Sequence, residues 1–589
     1  MDATTILAQC RLFAGLDGPA LARLAALCTM QELAGGEPLF AAGAEADYLY
    51  IVVTGRLRAL RSDGGIAGDI APLEPIGEIS VVTGEPRSGE VYALRDSLLL
   101  RIARDRFLEF VGLYPSALLE MTRVLIHRLR QNQRPSALAA VRATQTLALI
   151  PADRSVDIEG FTRSLAAALP LTTELIDAAT VDRVLGPGVS GTRFDDGADN
   201  QRLVDWLGAR EVGGGRLIYC ADATAGAWSE RCLRQADRAL IVADSATAMA
   251  DSAIPPMLRR LHLRAPVELV MLRSRATGPD ALHAWRAQCE IAAHHYLRPE
   301  VRDDYSRLAR QLSGAGLGLV LGGGGARGFA HIGLIRALEE LKLPFDLVGG
   351  SSMGAFFGAL LAGGADSREL RDVARATFVE HNYLNDYVLP RVSLIRGRRF
   401  LGRLHEIFGD RLIEDLPMPF FCLSTNLTRG TAVIHEQGPI AIWVGTSMAV
   451  PGVAPPIVWK GDLLADGAIV NSLPTDIMQA YGRGPIIASD VSTEGALEVP
   501  GVEGPDAEVL LRRRIGSPIT LADILFRSAT LTSESGVRAR AARADLYVRM
   551  PVSRVGLFEW KRIDEVIERG YQHALQELEA HLARSAARQ

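Results

Sequence analysis

Gly316 to Leu321 (GLGLVL), Gly322 to Gly328 (GGGGARG) and, further on, Gly350-Ser351-Ser352-Met353-Gly354 (GSSMG) decide how this chain is read. The first stretch is the apolar run that a strand buried on both faces of a parallel sheet requires. Phe329 to Leu338 has helical character, so the glycines turn the chain from strand into helix. That order aims backbone N–H groups at an anion or oxyanion, because glycine lets the main chain approach closely and take positive φ. Phe345 to Gly349 predicts a second strand and Ala355 to Leu361 a second helix. Gly-x-Ser-x-Gly between them is the pattern of a nucleophile elbow, where small residues flank a serine on a strained turn that exposes its hydroxyl. Ser352 is the expected nucleophile and Ser351 the fallback.

Gly323, Gly325 and Gly328 also satisfy the dinucleotide pattern GxGxxG, with Asp346 as a candidate ribose-binding acid. Asp346 precedes the strand-like Leu347 and Val348, whereas that acid should end a strand, so dinucleotide binding is disfavoured. A serine nucleophile needs a base. The histidines beyond it are His381, His405, His435, His573 and His581. The last two fall on a predicted C-terminal helix, and His435, on a strand-like run from Thr431 to Glu436, reads as a packing residue. Asp466 is better placed, because Leu463 to Ala465 reads as a strand end that delivers the carboxylate to the sheet edge beside Gly467. There it could take the serine proton directly, as a two-residue nucleophile and base pair.

Around this centre the chain runs to 589 residues, enough for about four domains. Apolar residues form 48% and charged residues 23%, the balance of an ordinary globular protein. With 64 Lys plus Arg against 69 Asp plus Glu, no global positive field exists to gather nucleic acid. The six cysteines are scattered, without metal-ligand spacing, so no metal is expected. Neither a signal peptide nor an apolar run of about 18 residues is visible, so a cytoplasmic location is expected. Leu12 to Tyr114 opens with a helical pattern (Leu21, Leu24, Leu27). Short alternating runs, Tyr48 to Val53, Leu57 to Leu60 and Ser97 to Ile102, then predict a small antiparallel roll. Pro115 to Arg130 is helical in pattern and Gln131 to Ser136 is a linker. From Thr144 to Arg273 apolar runs (Leu147 to Ile150, Leu217 to Cys220, Ala239 to Val242, Leu269 to Leu272) alternate with helical stretches, the signature of a parallel α/β sheet. Its glycine run, Gly213 to Gly215, precedes a strand and no Lys follows, so the segment reads as a connector without nucleotide hydrolysis.

Gly323 to Gly328, Gly350 to Gly354 and Asp466-Gly467-Ala468, with SMAVP at Ser447 to Pro451 and Asn471 and Pro474 beyond, together resemble the patatin-like phospholipase family. That resemblance implies Ser352 as nucleophile, Asp466 as base and the N–H groups of Gly323, Gly324 and Gly325 as oxyanion hole. Gly328, Gly350, Gly354 and Gly467 complete the motifs, and Arg327 stands where the family carries a basic residue that braces the loop or meets a phosphate. In the roll, Ile76-Gly77-Glu78-Ile79 followed by Pro86-Arg87-Ser88 resembles the phosphate cassette of cyclic nucleotide-binding domains. Gly77, Glu78, Arg87 and Ser88 would then hold a cyclic nucleotide, cAMP or cGMP: Glu78 on a ribose hydroxyl, Arg87 on the phosphate. Glu90 departs from the pattern by adding a carboxylate near that phosphate.

Roll, connector and patatin-like domain in this order resemble the neuropathy target esterase group of lysophospholipases, as do Arg231 to Asp237 and His294 to Arg298. The implied architecture is multidomain: a cyclic nucleotide-binding β-roll over 10–130, an α/β connector over 141–312, a patatin-like α/β hydrolase domain over 316–551 and a C-terminal helix over 552–589. The implied activity is fatty-acid release from lysophospholipid or phospholipid, with peripheral membrane contact, no required cofactor and a cyclic nucleotide as regulator. The alternative is a weakly catalytic protein that senses lipid or cyclic nucleotide. Head group, acyl length and oligomeric state are not legible.

Overall fold

The structure, a computed structural model, describes residues 3–13, 15–61, 66–114, 146–170, 172–193, 197–212, 215–244, 252–261, 263, 265–273, 280–389, 391–492 and 521–587. The predicted helix over Pro115 to Arg130, the linker after it, Gly213, Gly214 and most of the long segment after Val491 lie outside the described residues. The chain divides into two compact units, Met1–Ala309 and Arg310–Gln589. The roll and the α/β connector share the first unit, and the C-terminal helix shares the second with the glycine-loop domain.

In the first unit, Asp17 caps the helix Gly18–Ala25 by accepting from the Ala20 N–H, with a proline in the first turn. Eight strands follow: β1 (Cys28–Leu33), β2 (Pro38–Phe40), β3 (Tyr48–Thr54), β4 (Leu57–Leu60), β5 (Ile66–Ile70), β6 (Pro75–Ile76), β7 (Glu90–Ala93) and β8 (Ser97–Ala103). They form two antiparallel four-stranded sheets, ordered β1-β8-β3-β6 and β2-β7-β4-β5, the expected roll. The second half of the unit is a parallel sheet of β9 (Thr146–Pro151), β10 (Thr173–Asp177), β11 (Arg216–Cys220), β12 (Arg238–Asp244), β13 (Val267–Leu272) and β14 (Ala293–Leu297). Their order is β10-β11-β9-β12-β13-β14. Every residue of β9 and β13 is buried, which is why those runs read as continuously apolar.

Buried ion pairs join the two halves of this unit. Asp96 of the roll, 1% exposed, accepts from Arg231 at 2.8 Å, and Arg95 pairs with Glu211 at 2.9 Å. Arg234 also reaches Asp96, and Asp237 reaches Arg56. The stretch Arg231 to Asp237 thus supplies much of the connector's contact with the roll, beside Glu211 and Thr146. Desolvated pairs of this kind contribute more to a unique mutual geometry than to net stability.

The second unit holds β15 (Gly318–Leu321), β16 (Leu347–Gly350), β17 (Phe420–Asn426), β18 (Thr431–His435), β19 (Ile457–Trp459), β20 (Asp462–Asp466), β21 (Ile486–Asp490) and β22 (Leu546–Arg549). The sheet order is β19-β20-β17-β16-β15-β21-β22, with β18 paired to β17. The centre is parallel, while β18 and β20 run antiparallel to β17. Beneath the sheet, Phe329, Phe356, Phe357 and Phe378 are at most 1% exposed and meet at ring centroid distances of 5.4 to 6.4 Å. Each such pair adds about 1 kcal/mol beyond burial. The C-terminal helix Ile563–Ala586 docks on the helix Ala330–Glu340, where Tyr571 donates to Glu340 at 2.6 Å and carries Arg336 on its ring. That contact holds the helix that follows the glycine loop.

Candidate active site

Between β16, ending at Gly350, and the helix Met353–Ala362 stands Ser352, with φ 54° and ψ −120°. A serine is forced into the left-handed half of backbone space at a cost of about 1–3 kcal/mol, strain that a nucleophile elbow stores to present its side chain. The turn is tight enough to require its glycines: a Cβ on Gly354 would lie 2.0 Å from the Leu321 carbonyl oxygen, and one on Gly350 2.3 Å from the oxygen of Gly354. The Ser352 N–H donates to Ser447 Oγ at 3.0 Å. Ser351, the fallback, is fully buried and its hydroxyl has no hydrogen-bond partner among the described residues. It has no base.

Sheet register brings Asp466 to the elbow. Gly350 pairs with Cys422 on β17, and two residues further along β17, Ser424 pairs with Asp466 at the end of the antiparallel β20. Residues 114 apart in sequence therefore meet: Ser352 Oγ donates to Asp466 Oδ2 at 2.7 Å. The other carboxylate oxygen accepts from the Ala468 N–H at 2.8 Å, and the Asp466 N–H donates to the Ala449 carbonyl. Burial pushes the Asp466 carboxyl up to about 7, outweighing the two donated hydrogen bonds that favour the anion. A carboxylate so poised exchanges a proton near neutral pH, as a general base must.

In the glycine loop the expected trio needs a correction. The Gly323 N–H donates to the Ser472 carbonyl at 3.0 Å, continuing the pairing in which Gly322 donates to Ser489, so it is not available to an oxyanion. The turn proper starts one residue later. Gly324, Gly325 and Met353, the first residue of the elbow helix, donate to no backbone carbonyl among the described residues. Gly325 has φ +56° and a Cβ there would sit 2.4 Å from the Leu557 carbonyl, which accepts from Ala326. Gly325→Ala should therefore turn its N–H away and lower kcat for ester hydrolysis by about 10²- to 10³-fold with KM little changed, read from initial rates. Gly328 and Gly467 face Met353 and the Leu423 carbonyl, with no room for a side chain.

Arg327 donates to the Val555 carbonyl at 2.7 Å, a contact that braces the loop. His331 was not foreseen. It is fully buried, and its Nε2 lies 2.8 Å from the Gly322 carbonyl. A carbonyl only accepts, so Nε2 carries the proton and Nδ1 accepts from Ser489 Oγ at 2.8 Å. Burial draws this imidazole down to about 4, so it is neutral and pins the first carbonyl of the loop. The signal in sequence was its place one residue into the helix after the glycines, but triad order directs attention to histidines beyond the serine.

Among the described residues, His435, His381 and His405 bond elsewhere than to Ser352. His435, also drawn down to about 4 by burial, bonds Ser424 Oγ at 2.7 Å and stacks on Trp443. His381 and His405 each bond a nearby carbonyl. Asp346, the candidate ribose acid, is fully buried and receives Arg310 at 2.6 Å and the Leu317 N–H at 3.0 Å, a structural role.

In the roll, Gly77 takes φ +76° ahead of Glu78–Thr83, and Glu78 is buried. Arg87 is 4% exposed, lies over the Phe40 ring at 4.2 Å and donates to the Gly77 and Tyr48 carbonyls at 3.0 and 2.6 Å. Its buried Nε has no hydrogen-bond partner among the described residues, while Asp47 and Glu78 act on it electrostatically. A buried guanidinium at a positive-φ glycine, held by carbonyls and not by a direct carboxylate contact, fits an anionic phosphate. Ser88 is exposed and Glu90 half-buried on β7. In the connector, the turn after the central strand β9 carries Asp153 and Asp157, the latter capping Ile158–Ala168. Carboxylates stand where a phosphate-binding loop would need glycines and a lysine.

Residues 319–478 match the family described as patatin-like phospholipase, 30–113 the cyclic nucleotide-binding domain, and 143–299 the neuropathy target esterase family P-loop like domain. The uncharacterized NTE family protein MT2641 of Mycobacterium tuberculosis is 30% identical, over 98% of this chain and 97% of its own. The neuropathy target esterase sws of Drosophila melanogaster is 30% identical over 92% of this chain and 42% of its own length. The human patatin-like phospholipase domain-containing protein 6 is 29% identical over 91% of this chain and 43% of its own. This chain thus spans less than half the length of the animal relatives and nearly all of the mycobacterial one.

Proposed function

This chain belongs to the neuropathy target esterase (NTE) family, and from that premise we propose that it is a serine lipid acyl hydrolase that releases fatty acid from lysophospholipid or phospholipid. The observation that carries this reading is the 2.7 Å hydrogen bond from a strained Ser352 to a fully buried Asp466. Asp466 takes the hydroxyl proton as Ser352 Oγ attacks the ester carbonyl. The N–H groups of Gly324, Gly325 and Met353 hold the tetrahedral oxyanion. Collapse breaks the ester bond, and protonated Asp466 returns the proton to the departing glycerol oxygen. Asp466 then deprotonates the water that hydrolyses the acyl-enzyme.

A cyclic nucleotide, cAMP or cGMP, regulates this unit in our reading: Arg87 would hold its phosphate and Glu78 a ribose hydroxyl. In this reading the substrate, being a membrane lipid or its lyso form, is met at a membrane surface.

Fatty-acid release from lysophosphatidylcholine, followed against pH, tests the reading. Asp466 must be ionised to act, and burial raises its proton affinity to about 7. Below pH 7, kcat/KM should fall about tenfold per unit, and above it should level off. Absence of release from lysophosphatidylcholine and phosphatidylcholine alike would refute the substrate class; a profile flat from pH 5 to 8 would refute Asp466 as base.

A further inference from the structure

Residues 387–403 hold five arginines and no Asp or Glu, in a chain whose formal net charge is −5. The same stretch carries three large apolar side chains in water: Tyr387 at 74%, Leu389 at 85% and Val392 at 67% exposure. Tyr387 pairs with Ile395 and the Val388 N–H donates to the Leu394 carbonyl, so the segment folds back as a hairpin whose turn presents Leu389, Arg391 and Val392. Arg391, Arg396 and Arg398 are exposed, and among the described residues no carboxylate lies within ion-pair distance of any of them. Beside them lies a groove of about 420 Å³.

The hairpin is mounted on the candidate site. Its returning arm donates from Leu394 to the Gly452 carbonyl at 2.9 Å and from Ile395 to the Val453 carbonyl at 3.0 Å. That supporting segment begins at Ser447, which receives the Ser352 N–H, and includes Ala449, which receives the N–H of Asp466.

We propose that the hairpin around Leu389 is the surface by which this domain docks on an anionic lipid membrane. Leu389, Val392 and Tyr387 enter the interface while Arg391, Arg396 and Arg398 meet lipid phosphates, an arrangement that suits a charged bilayer better than another protein's apolar face. Docking there sets the segment carrying Ser447 and Ala449 against the bilayer, so a lysolipid or phospholipid reaches Ser352 without crossing water. In naming that route the inference rests on the proposed hydrolase activity.

The test uses the full chain with Ser352→Ala, so that lipid is not consumed, sedimented with vesicles of phosphatidylcholine or of phosphatidylcholine and phosphatidylglycerol at 7:3. Arg391→Gln/Arg396→Gln/Arg398→Gln should weaken binding to the mixed vesicles about 100-fold, from about fivefold per arginine at an anionic surface, and abolish its salt dependence. Leu389→Asp/Val392→Asp should weaken binding to both vesicles at least about tenfold. With Ser352 restored, both variants should hydrolyse soluble p-nitrophenyl butyrate at the parental rate and release fatty acid from vesicles more slowly. Parental vesicle binding by either variant overturns the proposal. So does an equal loss on the soluble ester, or a dimer that the aspartates dissociate without changing vesicle binding. If the Ser352→Ala chain binds as expected while the parent releases no fatty acid, docking stands and the hydrolase reading falls.

Discussion

Asp466→Asn should lower kcat for ester hydrolysis by about 10⁴-fold with KM little changed. The loss is this large because no second base stands by among the described residues: Ser352 Oγ donates there to Asp466 alone, and His435, already bonded to Ser424, lies on β18. Initial rates on lysophosphatidylcholine, at enzyme concentrations high enough to see the residual, measure it. The same variant carries a stability signature with a definite sign. In the folded chain the Asp466 carboxyl is raised from 3.8 to about 7, so the native state binds this proton more tightly than the unfolded state. Ionising it costs the native state stability that grows as pH rises from about 4 to 7, of the order of about 4 kcal/mol over that window. Asn does not ionise. The Tm of Asp466→Asn minus that of the parent should therefore become more positive from pH 4 to pH 8, whatever the substitution does to the hydrogen bond from Ala468. A constant difference would mean that the carboxyl titrates normally.

Ser352→Ala should abolish fatty-acid release, with a fall in kcat of about 10⁶-fold, because the acyl-enzyme cannot form. Groups that act as one unit do not contribute additively. Combining Ser352→Ala with Asp466→Asn should then cost no more than Ser352→Ala alone. A double variant slower by the product of the two single effects would mean that Asp466 assists some other nucleophile. Ser351 is poorly suited to that role, since it is fully buried with no partner for its hydroxyl.

Local features were legible in the sequence where local chemistry determines them. Leu319 to Leu321 and Leu347 with Val348 are continuous apolar runs because β15 and β16 are covered on both faces, and the elbow between Gly350 and Gly354 follows from a turn too tight for side chains. Asp466 could be nominated from a strand end beside a glycine, but the resemblance to patatin-like enzymes was what singled it out. Its meeting with Ser352 depends on the register of β20 against β17, which only long-range pairing sets. The glycine loop shows the same limit. Nothing in GGGGARG distinguishes Gly323 from Gly324, and the difference is that Ser472, far along the chain, accepts the Gly323 N–H. His331 was missed for the same reason, because its partners Gly322 and Ser489 come together only in the sheet. In the roll, the cassette letters were readable, whereas the burial of Arg87 between Phe40 and two carbonyls was not.

The central claim is that Ser352 attacks a lipid ester with Asp466 as its base. Its most direct test treats the purified full chain with a long-chain alkyl fluorophosphonate, whose phosphorus the nucleophile attacks with loss of fluoride, and locates the adduct by peptide mass spectrometry. The account predicts one phosphonyl group per chain, on Ser352, forming in step with loss of lysophosphatidylcholine hydrolysis and absent from Ser352→Ala. An adduct on any other residue that tracks the loss of activity, or hydrolysis that survives complete labelling of Ser352, would contradict it.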